Sequence, residues 1–168
     1  MKKKAIVIIT FLLCMFFCSN VFAGEYTDIA MSANYFKSYM SYKNFNSSSA
    51  QHALQQLCVT DADGLRKCND RYVIAVGFGV GGQVGDCVDL ILENGQIICC
   101  VIGDYKNNKH TDAVNLTGKN GCCSEFIVDT SVLRRDIKLG GNVECGYPVW
   151  DSPVKTIRRY NINLLGGK

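Results

Sequence analysis

The stretch YVIAVGFGVGGQVGDCVDLILENGQIICCVIGD, from Tyr72 to Asp104, constrains the fold of this chain more than any other. It holds three apolar runs of strand length, Tyr72 to Val76, Cys87 to Leu92 and Gln96 to Ile102, punctuated by turn residues. Between the second and third runs, Glu93-Asn94-Gly95 is a strong hairpin signal. Two further strands are expected, over Glu125 to Asp129 and Val154 to Tyr160. Many short strands, turn glycines and no alternating long helices predict a mainly β protein built as a small barrel.

Gly77 to Gly82 within this stretch spells G-x-G-x-x-G. A dinucleotide loop needs a helix after its third glycine, so that N–H groups at the helix start receive the pyrophosphate. Here Gly82 is followed by QVGDCVDLIL, which alternates as a strand does. The glycines therefore predict positive φ angles in a chain reversal, no helix after Gly82, and no cofactor.

The first 23 residues run from three lysines through a short apolar stretch to Val21-Phe22-Ala23, the pattern of a cleaved secretory signal. Cleavage implies a secreted, extracellular protein with no stable membrane anchor. Removing those lysines leaves equal numbers of basic and acidic side chains. The basic excess of a nucleic-acid binder is absent, so no nucleic-acid partner is expected. Eight cysteines remain, Cys58, Cys68, Cys87, Cys99, Cys100, Cys122, Cys123 and Cys145. In an exported chain they read as up to four disulfides, with the pairing left open. No C-x-x-C pair occurs, so no metal site is expected.

Residues 24–58 are predicted to form a helical amino-terminal segment, and 59–168 the six-stranded barrel domain. Ile29, Tyr35, Phe36, Tyr39, Met40 and Tyr42 fall at spacings compatible with one apolar helix face. The polar NFNSSS run breaks this pattern, and Ser48 with Gln51 forms a capping box for a second helix reaching Cys58. TDADGLRKCND departs from a calcium loop at its first ligand position, where Val59 stands, and reads as a turn between short strands.

Chemistry is concentrated downstream. DYKNNKHTD places Asp104, Lys106, His110, Thr111 and Asp112 just past the end of a strand, where binding groups are often carried. In EFIVD, Glu125, Ile127 and Asp129 share one strand face, so both segments could bring carboxylates to a common groove. A glycosidic bond is cleaved with at least one carboxyl group held as proton donor.

The order of elements from Tyr72 to Tyr160 resembles the double-psi β-barrel superfamily, in particular the three-aspartate domain of lytic transglycosylase A and related wall-remodelling proteins. The residues that carry it are YVIAVG, GQVGDCVDLIL, VIGD and EFIVDTSVL. The chain as a whole also resembles uncharacterised exported proteins of gut Firmicutes. The barrel resemblance implies Asp104 and Asp129 as catalytic acids, with Lys106, His110, Thr111, Asp112 and Glu125 holding peptidoglycan or another cell-surface glycan. It implies a wall-associated lytic transglycosylase or, with the acid function lost, a secreted module that binds glycan or protein without cleaving it. Gly77 stands where the family has its first aspartate, a departure that bears on activity more than on fold.

Overall fold

The computed structural model describes residues 25–32 and 36–166. Nine strands form one mixed sheet: β1 Tyr26–Ala30, β2 Phe36–Ser41, β3 Val59–Thr60, β4 Arg66–Cys68, β5 Arg71–Val76, β6 Asp86–Leu92, β7 Ile97–Tyr105, β8 Cys122–Val128 and β9 Val154–Asn163. Two short helices, α1 Ala50–Gln56 and α2 Arg135–Gly140, lie outside it. The main path runs β1-β9-β6-β7-β5-β4-β3, while β8 also pairs with β5 and carries β2 beyond it. β5 pairs in parallel with β7, and antiparallel with β4 near its start and with β8 near its end.

This sheet is open. Among the described residues its path ends at β1 on one side and at β2 and β3 on the other, and these strands do not pair with one another. The expected double-psi barrel is therefore corrected to an open mixed sheet. Short strands and turn glycines specify hairpins, but neither strand number, which is seven rather than six over 59–168, nor whether the last strand returns to the first.

The amino-terminal helical segment is likewise corrected. Residues 26–30 and 36–41 are strands, β1 antiparallel to β9 and β2 parallel to β8. Tyr and Phe favour strands, and Tyr26, Asp28 and Ala30 alternate with Thr27 and Ile29, a period of two hidden under spacings that also suit a helix. Asp28 faces Arg158 across β1 and β9 in a two-pronged ion pair with both contacts at 2.8 Å. Tyr35 of the expected apolar face and the signal expected over 1–23 lie outside the described residues. The second expected helix is present as α1, but Ser49 caps it, accepting from His52 N, while Ser48 bonds to Asn46.

Gly81, Gly82 and Gly85 adopt positive φ, and the chain passes from Gly82 through a turn into β6. A Cβ on Gly77 or Gly79 would lie 2.0 or 2.3 Å from carbonyl oxygens of Asn115 and Val114. The glycine string thus lets the 112–117 loop lie flat against the β5–β6 connection.

Apolar clusters occupy both faces of the sheet. The larger holds Ile74, Val76, Leu90, Ile102, Phe126 and Trp150, with Trp150 stacked on Phe126 and on Tyr147. On the other face α1 sets Leu54 against Val73, Val101 and Ile127. Six of the eight cysteines among the described residues, Cys58, Cys68, Cys87, Cys100, Cys122 and Cys123, are buried, and all eight are free thiols. The disulfide framework is therefore corrected: these cysteines mostly fill the interior as small apolar groups. Cys58 donates to Leu54 O at 3.0 Å, and burial pushes its thiol up to about 12.

Three cations, Arg71, Lys37 and Lys106, are buried in ion pairs, the last with Glu125. Arg71 reaches Asp89, Cys100 O and Val88 O, and Tyr160 donates to the other Asp89 oxygen. Lys37, wholly buried on β2, donates to Glu144 Oε1 and to the carbonyls of Trp150 and Ser152, all within 3.0 Å. This contact ties edge strand β2 to the 143–152 segment. Lys37→Met should lower unfolding stability by about 3 kcal/mol in urea titrations, because Glu144 stays buried without its cation. Combining it with Glu144→Gln should recover part of that loss; an unchanged midpoint in Lys37→Met would show that the clasp does not hold the edge.

Candidate functional site

Ile74 pairs with Ile102 and Ala75 with Asp104, so Gly103 is an extra residue in β7, a bulge. Strict alternation would have put Asp104 on the face of Cys100 and Ile102, in the larger core. The bulge turns it instead to the face of Ala75. Only glycine fits there, since a Cβ on Gly103 would lie 2.2 Å from Val73 Cγ1.

On the other edge of β5, Ala75 pairs with Glu125, and Glu125 in turn with Ser38 of β2. Ser38, Glu125, Ala75 and Asp104 therefore form one row across four strands. With strands about 4.8 Å apart, the two acids sit about 10 Å apart at their Cα atoms, with only the methyl group of Ala75 between them. Three of these residues, Glu125, Ala75 and Asp104, line a cleft of about 470 Å³. Lys106, His110, Lys119 and Asn120 contribute to its walls, and Met40 closes one side.

Each acid is held by one oxygen. Gln51 of α1 donates to Asp104 Oδ1 at 3.0 Å, and Lys106 Nζ donates to Glu125 Oε1 at 2.9 Å. Among the described residues, no donor reaches the second oxygen of either acid, and no ion pair forms at Asp104. Burial disfavours the charge on Lys106, but the Cys122 thiol and the Glu125 carboxylate outweigh it, and the ammonium titrates above the ordinary lysine range. A second bulge, at Cys123, lets Cys122 lie beneath this group: Phe36 pairs with Cys122 and Lys37 with Ser124.

The structure brings together four of the sequence-predicted residues, Asp104, Lys106, His110 and Glu125. It does not bring Asp112, Thr111 or Asp129 to the cleft lining. Asp112 accepts from Leu116 N and Thr117 N and organises its own loop. Thr111 is buried, with its hydroxyl on Asn108 O and Asn115 Oδ1. Asp129 lies past the end of β8, where hydrogen bonds from the Ser131 side chain and main chain hold its carboxyl below the usual range.

Ala75 and Lys119 were not among the residues chosen from sequence, Gln51 was read only as part of a capping box, and Cys122 only as a disulfide candidate. An isolated glycine inside a strand, as in VIGD, is the signal that points to the bulge. Among the described residues, no serine, threonine or cysteine lines the cleft, and the one tyrosine there, Tyr105, donates its hydroxyl to Gly81 O.

Family models, curated proteins and solved structures all return no match to this chain. The resemblance to double-psi barrels thus has neither a closed barrel nor a related protein behind it. The expectation of a wall-associated transglycosylase, or of a secreted glycan-binding module on the same barrel, is corrected with it. The comparisons likewise supply no support for export or wall association.

Replacing Gly103 with alanine should cost about 1–3 kcal/mol, the scale of a methyl group forced into a packed site. Combining Gly103→Ala with Val73→Ala should restore part of that stability in thermal unfolding. Failure of the second change to help would show that the bulge does not depend on this contact.

Proposed function

We propose that this chain is a binding protein for a small molecule bearing a primary ammonium group, held on the Glu125–Ala75–Asp104 row. The observation that carries the reading is Asp104: a carboxylate without a cationic partner, fixed by Gln51, beside a floor kept shallow by Ala75. An ammonium group offers three donors to the unpaired oxygens of Asp104 and Glu125, and a charge-assisted hydrogen bond is about twice as strong as a neutral one. Glu125 is partly neutralised by Lys106, so Asp104 supplies most of the attraction. Lys119 and His110 on the far wall suit an acceptor group at the other end of the ligand. The volume falls within the range of small-molecule sites. A binding role is preferred over covalent catalysis because the lining carries no hydroxyl or thiol placed as a nucleophile.

Titrating the protein with n-butylamine and γ-aminobutyrate, followed by amide chemical shifts, should give saturable changes around Ala75, Asp104 and Glu125. n-Butanol should give none. Asp104→Asn should weaken amine binding by about tenfold or more, the scale of a hydrogen bond to a charged group. Ala75→Leu should block the floor while Asp104 remains. Equal responses to butylamine and butanol would remove the reading.

A further inference from the structure

We propose that Lys106 and Cys122 form a redox-controlled covalent bond, a sulfenamide between Nζ and Sγ, that changes the charge of the cleft. Its regulatory consequence rests on the amine-binding reading above; the bond itself does not.

Lys106 Nζ lies 3.1 Å from Cys122 Sγ and 2.9 Å from Glu125 Oε1. Cys122 is fully buried, and the Lys106 side chain is only 6% exposed. Ser38 Oγ at 3.0 Å and Ser124 O at 3.1 Å also face the sulfur. Cys122 is bonded to no other sulfur. An oxidised Cys122 would therefore meet an amine in contact rather than a thiol. Lys106 and Glu125 belong to the cleft lining and Cys122 lies one hydrogen bond behind them, so an oxidant reaches the sulfur only when the Lys106 side chain swings out into the cleft. Hydrogen peroxide is small enough to use that route.

The chemistry balances with one peroxide. Cys122 sulfur attacks a peroxide oxygen, the O–O bond breaks, and the departing hydroxide takes the thiol proton to leave as water. Sulfur has then been oxidised by two electrons to the sulfenic acid, and peroxide reduced. Lys106, after passing its extra proton to water, attacks the sulfur as a neutral amine. The S–N bond forms, the S–O bond breaks, and the hydroxyl leaves as a second water with a proton from the nitrogen. Thiol, amine and peroxide thus give sulfenamide and two waters, and a thiol reductant reverses the change by attacking the S–N bond.

Closing this bond removes the ammonium charge that neutralises Glu125. Both acids of the row then act as unpaired carboxylates around Ala75, and the cleft becomes more attractive to a cation. Oxidation should therefore tighten amine binding by about fivefold, the scale of one partly exposed ion pair.

The test treats the full chain with hydrogen peroxide, quenches it, and digests it for mass spectrometry, with butylamine titrations on matched samples. The expected result is a peptide pair joined through Lys106 and Cys122, lighter than the separate peptides by two hydrogens and released by dithiothreitol. It should be absent from Cys122→Ser and from Lys106→Arg, which keeps the charge but has no ordinary amine to offer. Circular dichroism of both variants guards against loss of fold. Oxidation of Cys122 to sulfinic acid with no joined peptide overturns the proposal. A joined peptide in protein that never binds butylamine would leave the bond standing and remove the binding reading instead. A joined peptide with amine affinity unchanged would overturn the regulatory half.

Discussion

The contact between Gly103 and Val73 is the constraint on which the cleft depends. β7 must place Ile102 in the larger core and Asp104 on the opposite face, and two residues separated by one cannot do both in a regular strand. An inserted residue resolves the conflict, but it lies where Val73 already fills the space, so it must lack a side chain. The same bulge leaves Tyr105 on the core side, stacked on Phe78 with ring centroids 4.5 Å apart. Position 103 thus divides a strand that is packing on one side of the glycine from a strand that carries charge on the other.

Charge elsewhere in the molecule is handled by enclosure. Lys37 and Arg71 both lie inside with carboxylates and main-chain carbonyls around them, and each joins segments distant in sequence. Lys37 bears on β2, which has a neighbour on only one side, and an edge strand needs some such attachment to keep its place. Lys106 resembles these two in its burial but differs in position, because its carboxylate partner also faces the cleft. The same kind of pair that fixes the fold at β2 sets the charge of the site at β8.

The strands from Tyr72 onward were legible because they are apolar runs of strand length and turn residues mark their ends. Glu93-Asn94-Gly95 announced the β6–β7 hairpin, and Gly95 does take positive φ. Residues 26–42 misled because Ile29, Phe36, Tyr39 and Met40 satisfy a helical spacing, while the partners that draw them into strands, Ile157 for Ile29 and Phe126 for Tyr39, lie 85 or more positions away. Ser48 and Ser49 offer equivalent hydroxyls, and only the turn made by Asn46 decides that Ser49 caps the helix. The candidate acids were legible as residues but not as a pair. Asp129 looked equivalent to Glu125 on strand alternation, yet β8 stops at Val128 and the chain turns away, so the second acid of the row is Glu125.

Ala75 explains why two bulges matter more than either alone. Gly103 on one side of β5 shifts Asp104 into register with Ala75, and Cys123 on the far side of β8 lets Cys122 lie under the Lys106–Glu125 pair. Both irregularities act on the same face, on strands that flank the same small residue. Without the Gly103 bulge, Asp104 would share the face of Ile102 in the larger core instead of that of Ala75. Departure from alternation on both sides of Ala75 gives a sheet face a floor, two acids and a buried amine above a thiol, so that the charge of the acids depends on what that amine is bonded to.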